Sequence, residues 1–165
     1  MRQHGKLLNI GAWKMKFDLK ILDSRITEEM LKPSTPGSAG IDLCVVMHSQ
    51  LSVGLYPNQC EKFRTGIAIH LNDTGYCAIV LPRSGLGSKG LILGNTIGLI
   101  DSDYQGEIIL SLWNRSPDPI KILPMQRVAQ LIIVPVIQPQ FNIVSEFASN
   151  TERGNGGFGS TGKGQ

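Results

Sequence analysis

Charge of one sign, aromatic residues, paired cysteines and long apolar runs are all scarce in this chain of 165 residues. Sixteen basic side chains stand against 13 acidic ones, for a net charge of +3. A field that weak excludes nucleic-acid binding by bulk attraction, and no stretch is rich in Lys or Arg. Aromatics make up 6% of the residues. The three cysteines, Cys44, Cys60 and Cys77, are odd in number and include no C-x-x-C pair. Two of them sit in strand-like runs, so buried free thiols in a reducing, cytoplasmic compartment are expected. His4, His48 and His70 have no metal-ligand spacing. No apolar run approaches the ~18 residues of a membrane helix. The N-terminus lacks the apolar core of a signal peptide.

Glycine (19) and proline (9), in contrast, are plentiful. With 41% hydrophobic and 18% charged residues, the composition is that of one globular domain with many turns. Short apolar or alternating runs at Phe17–Ile21, Ile41–Met47, Thr65–Leu71, Tyr76–Leu81, Glu107–Trp113 and Arg127–Val134 predict strands. Prolines such as Pro82, Pro124 and Pro135 stand at the ends of these runs, where a missing N–H does least harm to a ladder. Asn72-Asp73-Thr74-Gly75 between two runs predicts a hairpin. Ser84–Lys89 is the one helical candidate, weakened by two glycines. The class is all-β, a sandwich or barrel.

Three parts are expected. Residues 1–14 mix charge, Gly and apolar residues without a period and read as an extension, with Met15 as a possible functional start. Residues 15–150 form the β domain. Residues 151–165 hold six glycines and read as a flexible tail. Two glycosylation patterns, at Asn72 and Asn114, are chance in a cytosolic protein.

Two segments carry polar chemistry. Pro82-Arg83-Ser84-Gly85-Leu86-Gly87 follows a strand, and supplies a guanidinium fork, a hydroxyl and an approachable backbone, all suited to phosphate. Asn95–Glu107 reads as a β-hairpin arm ending in a polar turn. There Asp101 and Asp103 stand close in sequence to Glu107, and three carboxylates could bind metal or activate water. Each segment also has a plain reading, as a strand-to-turn junction and a solvated turn. The tail imitates a P-loop at Gly157-x-x-x-x-Gly162-Lys163, but Gly164 replaces the required Ser or Thr and no helix follows. It does carry Arg153, Phe158, Ser160 and Thr161, a set that suits phosphate and a nucleobase.

Taken together, five segments in order resemble the trimeric dUTPase family. They are Ala39-Gly40-Ile41-Asp42-Leu43, Pro82-Arg83-Ser84-Gly85-Leu86, Gly98–Glu107, Arg127-Val128-Ala129-Gln130 and Arg153–Gly162. The resemblance implies a jelly-roll-like, distorted β-barrel in a threefold homotrimer. Its active sites lie between subunits, each closed by another subunit's glycine-rich C-terminal arm. It implies hydrolysis of dUTP to dUMP and pyrophosphate with Mg2+, by water attack at the α-phosphorus. This removes dUTP and supplies dUMP for thymidylate synthesis.

By position, Asp101 is then the catalytic carboxylate, and a free aspartate is ionised at neutral pH. Arg83, Ser84 and Gly85 contact the phosphate chain. Gln130 contacts phosphate or metal-bound water, and Asp42 holds waters on a magnesium ion carried mainly by the phosphates. The arm from Asn95 through Leu99 and Ile100 to Ile109 selects uracil with backbone groups and the Asn95 amide. Tyr104 packs on the deoxyribose. Phe158 stacks on uracil and Arg153 reaches the γ-phosphate, with Gly159, Ser160 and Thr161 beside it.

Three departures stand out: a turn one residue short at Lys89-Gly90, Met125-Gln126 where the family has Gly-Glu or Gly-Asp, and Ile109 where relatives often carry Lys or Met. The Met125-Gln126 turn is expected to lie outside the chemistry. Two other readings share the fold, a dCTP deaminase and a non-catalytic nucleotide-sensing trimer. Neither nucleic acid nor membrane is an expected partner.

Overall fold

The computed structural model describes residues 15–49 and 51–157. Ten strands form two antiparallel four-stranded sheets and a two-stranded ribbon. The first sheet runs β1 (Asp18–Ile21), β4 (Cys60–His70), β8 (Glu107–Asn114), β6 (Leu91–Leu93). The second runs β2 (Ile41–Cys44), β10 (Arg127–Pro135), β5 (Tyr76–Pro82), β7 (Gly98–Ile100). The ribbon pairs β3 (Val53–Leu55) with β9 (Ile120–Ile122). The expected jelly-roll-like, all-β fold is what forms.

The core follows the two-residue period of the strands. Along β8, Ile108, Leu110, Leu112 and Asn114 are buried and alternate with half-buried or exposed neighbours, while β4 is buried continuously from Thr65 to Ile69, with Phe63 buried before it. From the second sheet, Leu43, Val80, Val128 and Leu131 join the same cluster. The buried polar groups are satisfied. Thr65 Oγ1 donates to the Ile108 carbonyl at 2.7 Å. The Asn114 amide donates to the carbonyls of Leu55 and Asp118, each at 2.8 Å. Its oxygen accepts the Ser116 N–H at 2.9 Å. Asn114 is thus a core residue, which agrees with dismissing it as a glycosylation acceptor.

Two expected hairpins are corrected. The Asn72–Gly75 turn is tight: Gly75 N–H meets Asp73 Oδ1 at 2.9 Å and Tyr76 N–H meets the Asp73 carbonyl at 3.1 Å. Yet β4 pairs with β1 and β8, while β5 pairs with β10 and β7. The turn carries the chain from one sheet to the other. The Asn95–Ile109 arm is likewise not a paired hairpin. Its first half, β7, lies on β5 and its second half, β8, lies on β4 and β6. A tight turn specifies a reversal but not the pairing of its flanks, and here both flanks find better partners across the fold.

The helical candidate forms as α1 (Ser84–Gly87) and stops at the short turn. Lys89 and Gly90 close it with N–H bonds of 3.0 Å to the carbonyls of Leu86 and Gly87. Gly90 sits at φ +94 with the Ser116 backbone nitrogen 2.9 Å from where a Cβ would be. Gly90→Ala is therefore expected to cost at least about 1–3 kcal/mol from the backbone conformation alone. A lowered urea midpoint at unchanged m-value is the check.

Candidate active site

The second sheet builds one half of the site. β10 lies between β2 and β5, and its register sets Gln130 directly opposite Asp42 on one side and Leu81 on the other. One residue past the end of β5 comes Arg83, then α1. The sequence thus brings three distant segments into one row across three strands. Asp42, Arg83, Ser84 and Gln130 line a common cavity of ≈ 270 Å³ with Ser34 and Ser38 at its rim. The Gln130 amide donates to the Pro82 carbonyl at 3.0 Å, which holds its rotamer. Gly85 has nothing within 4 Å of its Cβ position, so its backbone is open to a ligand. At the start of α1, the N–H groups of Ser84 and Gly85 have no carbonyl of their own helix to meet.

Asp42 organises the charge here. Its Oδ1 is ion-paired with Arg83, 3.0 Å from Nε, and its Oδ2 accepts a hydrogen bond from Arg127 Nη1 at 3.1 Å. Arg83 also donates to the Arg127 carbonyl at 3.2 Å. One carboxylate against two guanidiniums leaves the wall net positive, as an anion site requires. Arg127 is a further member of this cluster, to which the motif residues alone assign no role. Nothing local could have supplied one, because its partner Asp42 is 85 residues away.

Met125 also sits closer to this cluster than expected. It lines a second cavity of ≈ 390 Å³ together with Asp42, Cys44 and Arg127. It adopts φ +59, the left-handed conformation that a glycine would take without strain. The Met125-Gln126 departure therefore borders the site rather than lying apart from it.

Asp101 belongs to a different place. It is exposed and lines a cavity of ≈ 480 Å³ with Leu99, Tyr76, Cys77 and Ile137. Burial and the negative charge of Asp101 both push the Cys77 thiol up, and burial pushes Cys44 up against the pull of Arg127. Both are inert, buried thiols. Cys60, expected with them as a free thiol, is free but exposed.

Beyond Asp101 the turn is closed by Tyr104. Its N–H donates to the Asp101 carbonyl at 3.2 Å and its hydroxyl to the Glu107 carbonyl at 2.9 Å. Asn95 and Leu99 are exposed, as is Ile109, while Ile100 is half-buried. Arg153 makes a local turn, its Nε 3.0 Å from the Gly156 carbonyl. Phe158, Gly159, Ser160 and Thr161 lie outside the described residues.

The three-carboxylate reading of Asp101, Asp103 and Glu107 is corrected. Among the described residues no group of three His, Cys, Asp or Glu side chains could hold a metal. The Glu107 carboxylate is occupied by Arg64 and the Gly66 N–H. In the cradle the described residues offer an ion one carboxylate, Asp42, with both oxygens already ion-paired to arginines, and one amide oxygen, Gln130, within reach through bound waters. That set fits an ion whose other ligands come from a bound phosphate chain, and not a protein cage.

The cavity that Asp101 lines and the cavity that Arg83 and Gln130 line share no residue. One chain therefore presents two half-sites, an anion cradle and a carboxylate turn. No helix among the described residues is long and apolar enough to cross a membrane.

The profile of the dUTPase family matches residues 27–162. A deoxyuridine 5'-triphosphate nucleotidohydrolase of Paraburkholderia phymatum is 55% identical over 150 residues, covering 90% of this chain and 99% of the relative. One from Albidiferax ferrireducens is 54% identical over 151 residues, covering 91% and 99%. Among solved structures, a Staphylococcus bacteriophage 80alpha dUTPase with dUpNHpp superposes with a TM-score of 0.73 at 26% identity, covering 90% of this chain and 99% of the other. With most of its length matched, and with a cradle and a carboxylate turn where the motifs fall, this chain belongs to the dUTPase family.

Proposed function

We infer that this protein hydrolyses dUTP to dUMP and pyrophosphate. The observation that carries the reading is end-to-end similarity to proteins named for that reaction, 55% identical across 99% of the relative's length. Within the chain, the two half-sites supply what the reaction needs.

The anion cradle binds the triphosphate. Arg83 offers a fork already aligned by Asp42, so less side-chain entropy is lost on binding. Ser84, Gly85 and Gln130 add a hydroxyl, backbone N–H groups and an amide carbonyl. Asp101 takes a proton from a water, whose oxygen forms a bond to the α-phosphorus. The bond from that phosphorus to the bridging oxygen breaks, and pyrophosphate leaves.

Uracil is held by Asn95 and by Leu99 and Ile100 of β7, with Ile109 of β8 at the far end of the arm. Cytosine reverses the donor and acceptor pattern at the base edge and would leave those groups unpaired, a strong rejection. Tyr104 stands against the sugar.

Dependence on a divalent metal is general in the family. We assign the ion here as Mg2+; Asp42 and Gln130 would hold it through waters beside the substrate phosphates, and it would supply neutralisation of phosphate charge.

Since the half-sites are separate on one chain, the complete site is assembled between subunits of a homotrimer. Residues 15–150 form the barrel of each subunit, residues 1–14 are an extension, and residues 151–165 close a neighbour's site. In that arm, Arg153 meets the γ-phosphate, Phe158 the base, and Gly159, Ser160 and Thr161 the phosphate chain. The free thiols support a cytoplasmic location.

The test is incubation with dUTP, dCTP or UTP and magnesium, with products followed by phosphorus NMR and ammonia assay. Rapid dUMP and pyrophosphate from dUTP, with UTP at least about 100-fold slower in kcat/KM, is expected. Ammonia from dCTP would move the assignment to a deaminase. Tight binding of dUTP with no turnover would make the protein a sensor.

A further inference from the structure

Glu107 has no task in the hydrolysis of dUTP as proposed, although both of its carboxylate oxygens are engaged near the carboxylate turn. Glu107 is the first residue of β8, and its carboxylate is only 17% exposed. Oε2 accepts Arg64 Nε at 2.9 Å, and Oε1 accepts the Gly66 N–H at 2.8 Å. Gly66 lies in the interruption of the β4–β8 ladder between Arg64 and Ala68, at φ +72. A charged side chain thus takes over where ladder bonds are lost, and charge-assisted bonds are the stronger kind. The backbone of the same residue holds the turn. Its carbonyl accepts the Tyr104 hydroxyl at 2.9 Å, and Tyr104 N–H reaches the Asp101 carbonyl at 3.2 Å. The Tyr104 ring lies so close over Gly106 that an added Cβ would come within 2.6 Å of a ring carbon.

We propose that Glu107 is a positioning residue for catalysis: its carboxylate clamps the irregular stretch of β4 to the start of β8, and so fixes the carbonyl that anchors Tyr104 and, through it, Asp101. The proposal rests on the dUTPase reading, in which Tyr104 is the wall against the sugar. Glu107 itself does not touch substrate, because both carboxylate oxygens are turned to β4. What it sets is precision. An apolar wall refuses an added hydroxyl only about 100-fold, so stronger refusal of a ribose needs tight placement. A displacement of about 1 Å can cost 10²-fold in rate, so a few tenths of an ångström correspond to about 10-fold. The loss is therefore read first in the preference for dUTP over UTP.

The experiment measures kcat and KM for dUTP and UTP in the wild type, Glu107→Ala, Glu107→Gln, Arg64→Met and Tyr104→Phe, and in the double variant Glu107→Ala/Tyr104→Phe. Glu107→Ala is expected to lower the dUTP-over-UTP ratio of kcat/KM by about 10-fold. Glu107→Gln, which keeps an acceptor for the Gly66 N–H, should recover part of it, and Arg64→Met should lose part of it. Tyr104→Phe removes the hydroxyl bonded to the Glu107 carbonyl and should add nothing to Glu107→Ala. A lowered Tm with an unchanged ratio in all the Glu107 and Arg64 variants would overturn the proposal, as would full additivity with Tyr104→Phe. If Glu107→Ala fails to fold, the ratios of Glu107→Gln and Arg64→Met decide alone. A wild type that leaves dUTP intact would instead overturn the activity, and the positioning role with it, before any variant is read.

Discussion

Asp101→Asn should bind dUTP about as tightly as the parent and turn it over about 10²–10⁴-fold more slowly, the usual contribution of a positioned general base. The substitution is nearly isosteric and replaces one carboxylate oxygen by NH2, which removes the negative charge and the basicity. Asp101 is exposed, and the bond that holds its turn uses its backbone carbonyl, not its side chain. Surface substitutions of that kind change stability by about 0.5 kcal/mol or less, so a folding defect would not mimic the result. Single-turnover kinetics with dUTP, beside a binding isotherm, separate the two effects. A rate near that of the wild type would remove Asp101 from the role of base.

Removal of residues 151–165 should leave the barrel intact and lower kcat/KM by about 10²-fold or more, the scale of losing correct substrate placement. Among the described residues the last strand ends at Pro135, and the core cluster contains none beyond Ile133. Thermal unfolding should therefore be almost unchanged. The segment between, 137–149, carries Ile137, Phe141, Ile143 and Phe147 at 85–95% exposure on its own subunit. Apolar side chains that open to water on one chain are suited to cover on another. The truncation keeps that segment, so the proposed trimer should persist in sedimentation while activity falls. Full activity would show that the tail has no part in the site.

The strand runs were legible in the sequence because burial alternates with a period of two, and β8 shows it without a break from Glu107 to Asn114. The α1 turn was legible from its position after a strand and its hydroxyl and glycines, and its end is where Gly90 can take a positive φ. The pairing of strands was not. Asn72–Gly75 has the residues of a hairpin turn, and only the competition between β8 and β10 for its two flanks divides them between sheets. Charge pairing was hidden for the same reason. Glu107 reads as one of three neighbouring acids, yet its partner Arg64 is 43 residues away, on the strand that the register sets beside it.

By itself, then, the sequence determined the all-β class, the family and the residue types available for phosphate, base and sugar. These depend on local periodicity and on motifs a few residues long. Only the tertiary structure decided that Asp42 stands between Arg83 and Arg127, that Glu107 is withdrawn from the acidic cluster, and that Asp101 lies in a cavity apart from the anion cradle. Each of those depends on strand register, and register follows from which hydrophobic faces meet in the core, a property of the whole chain rather than of any segment.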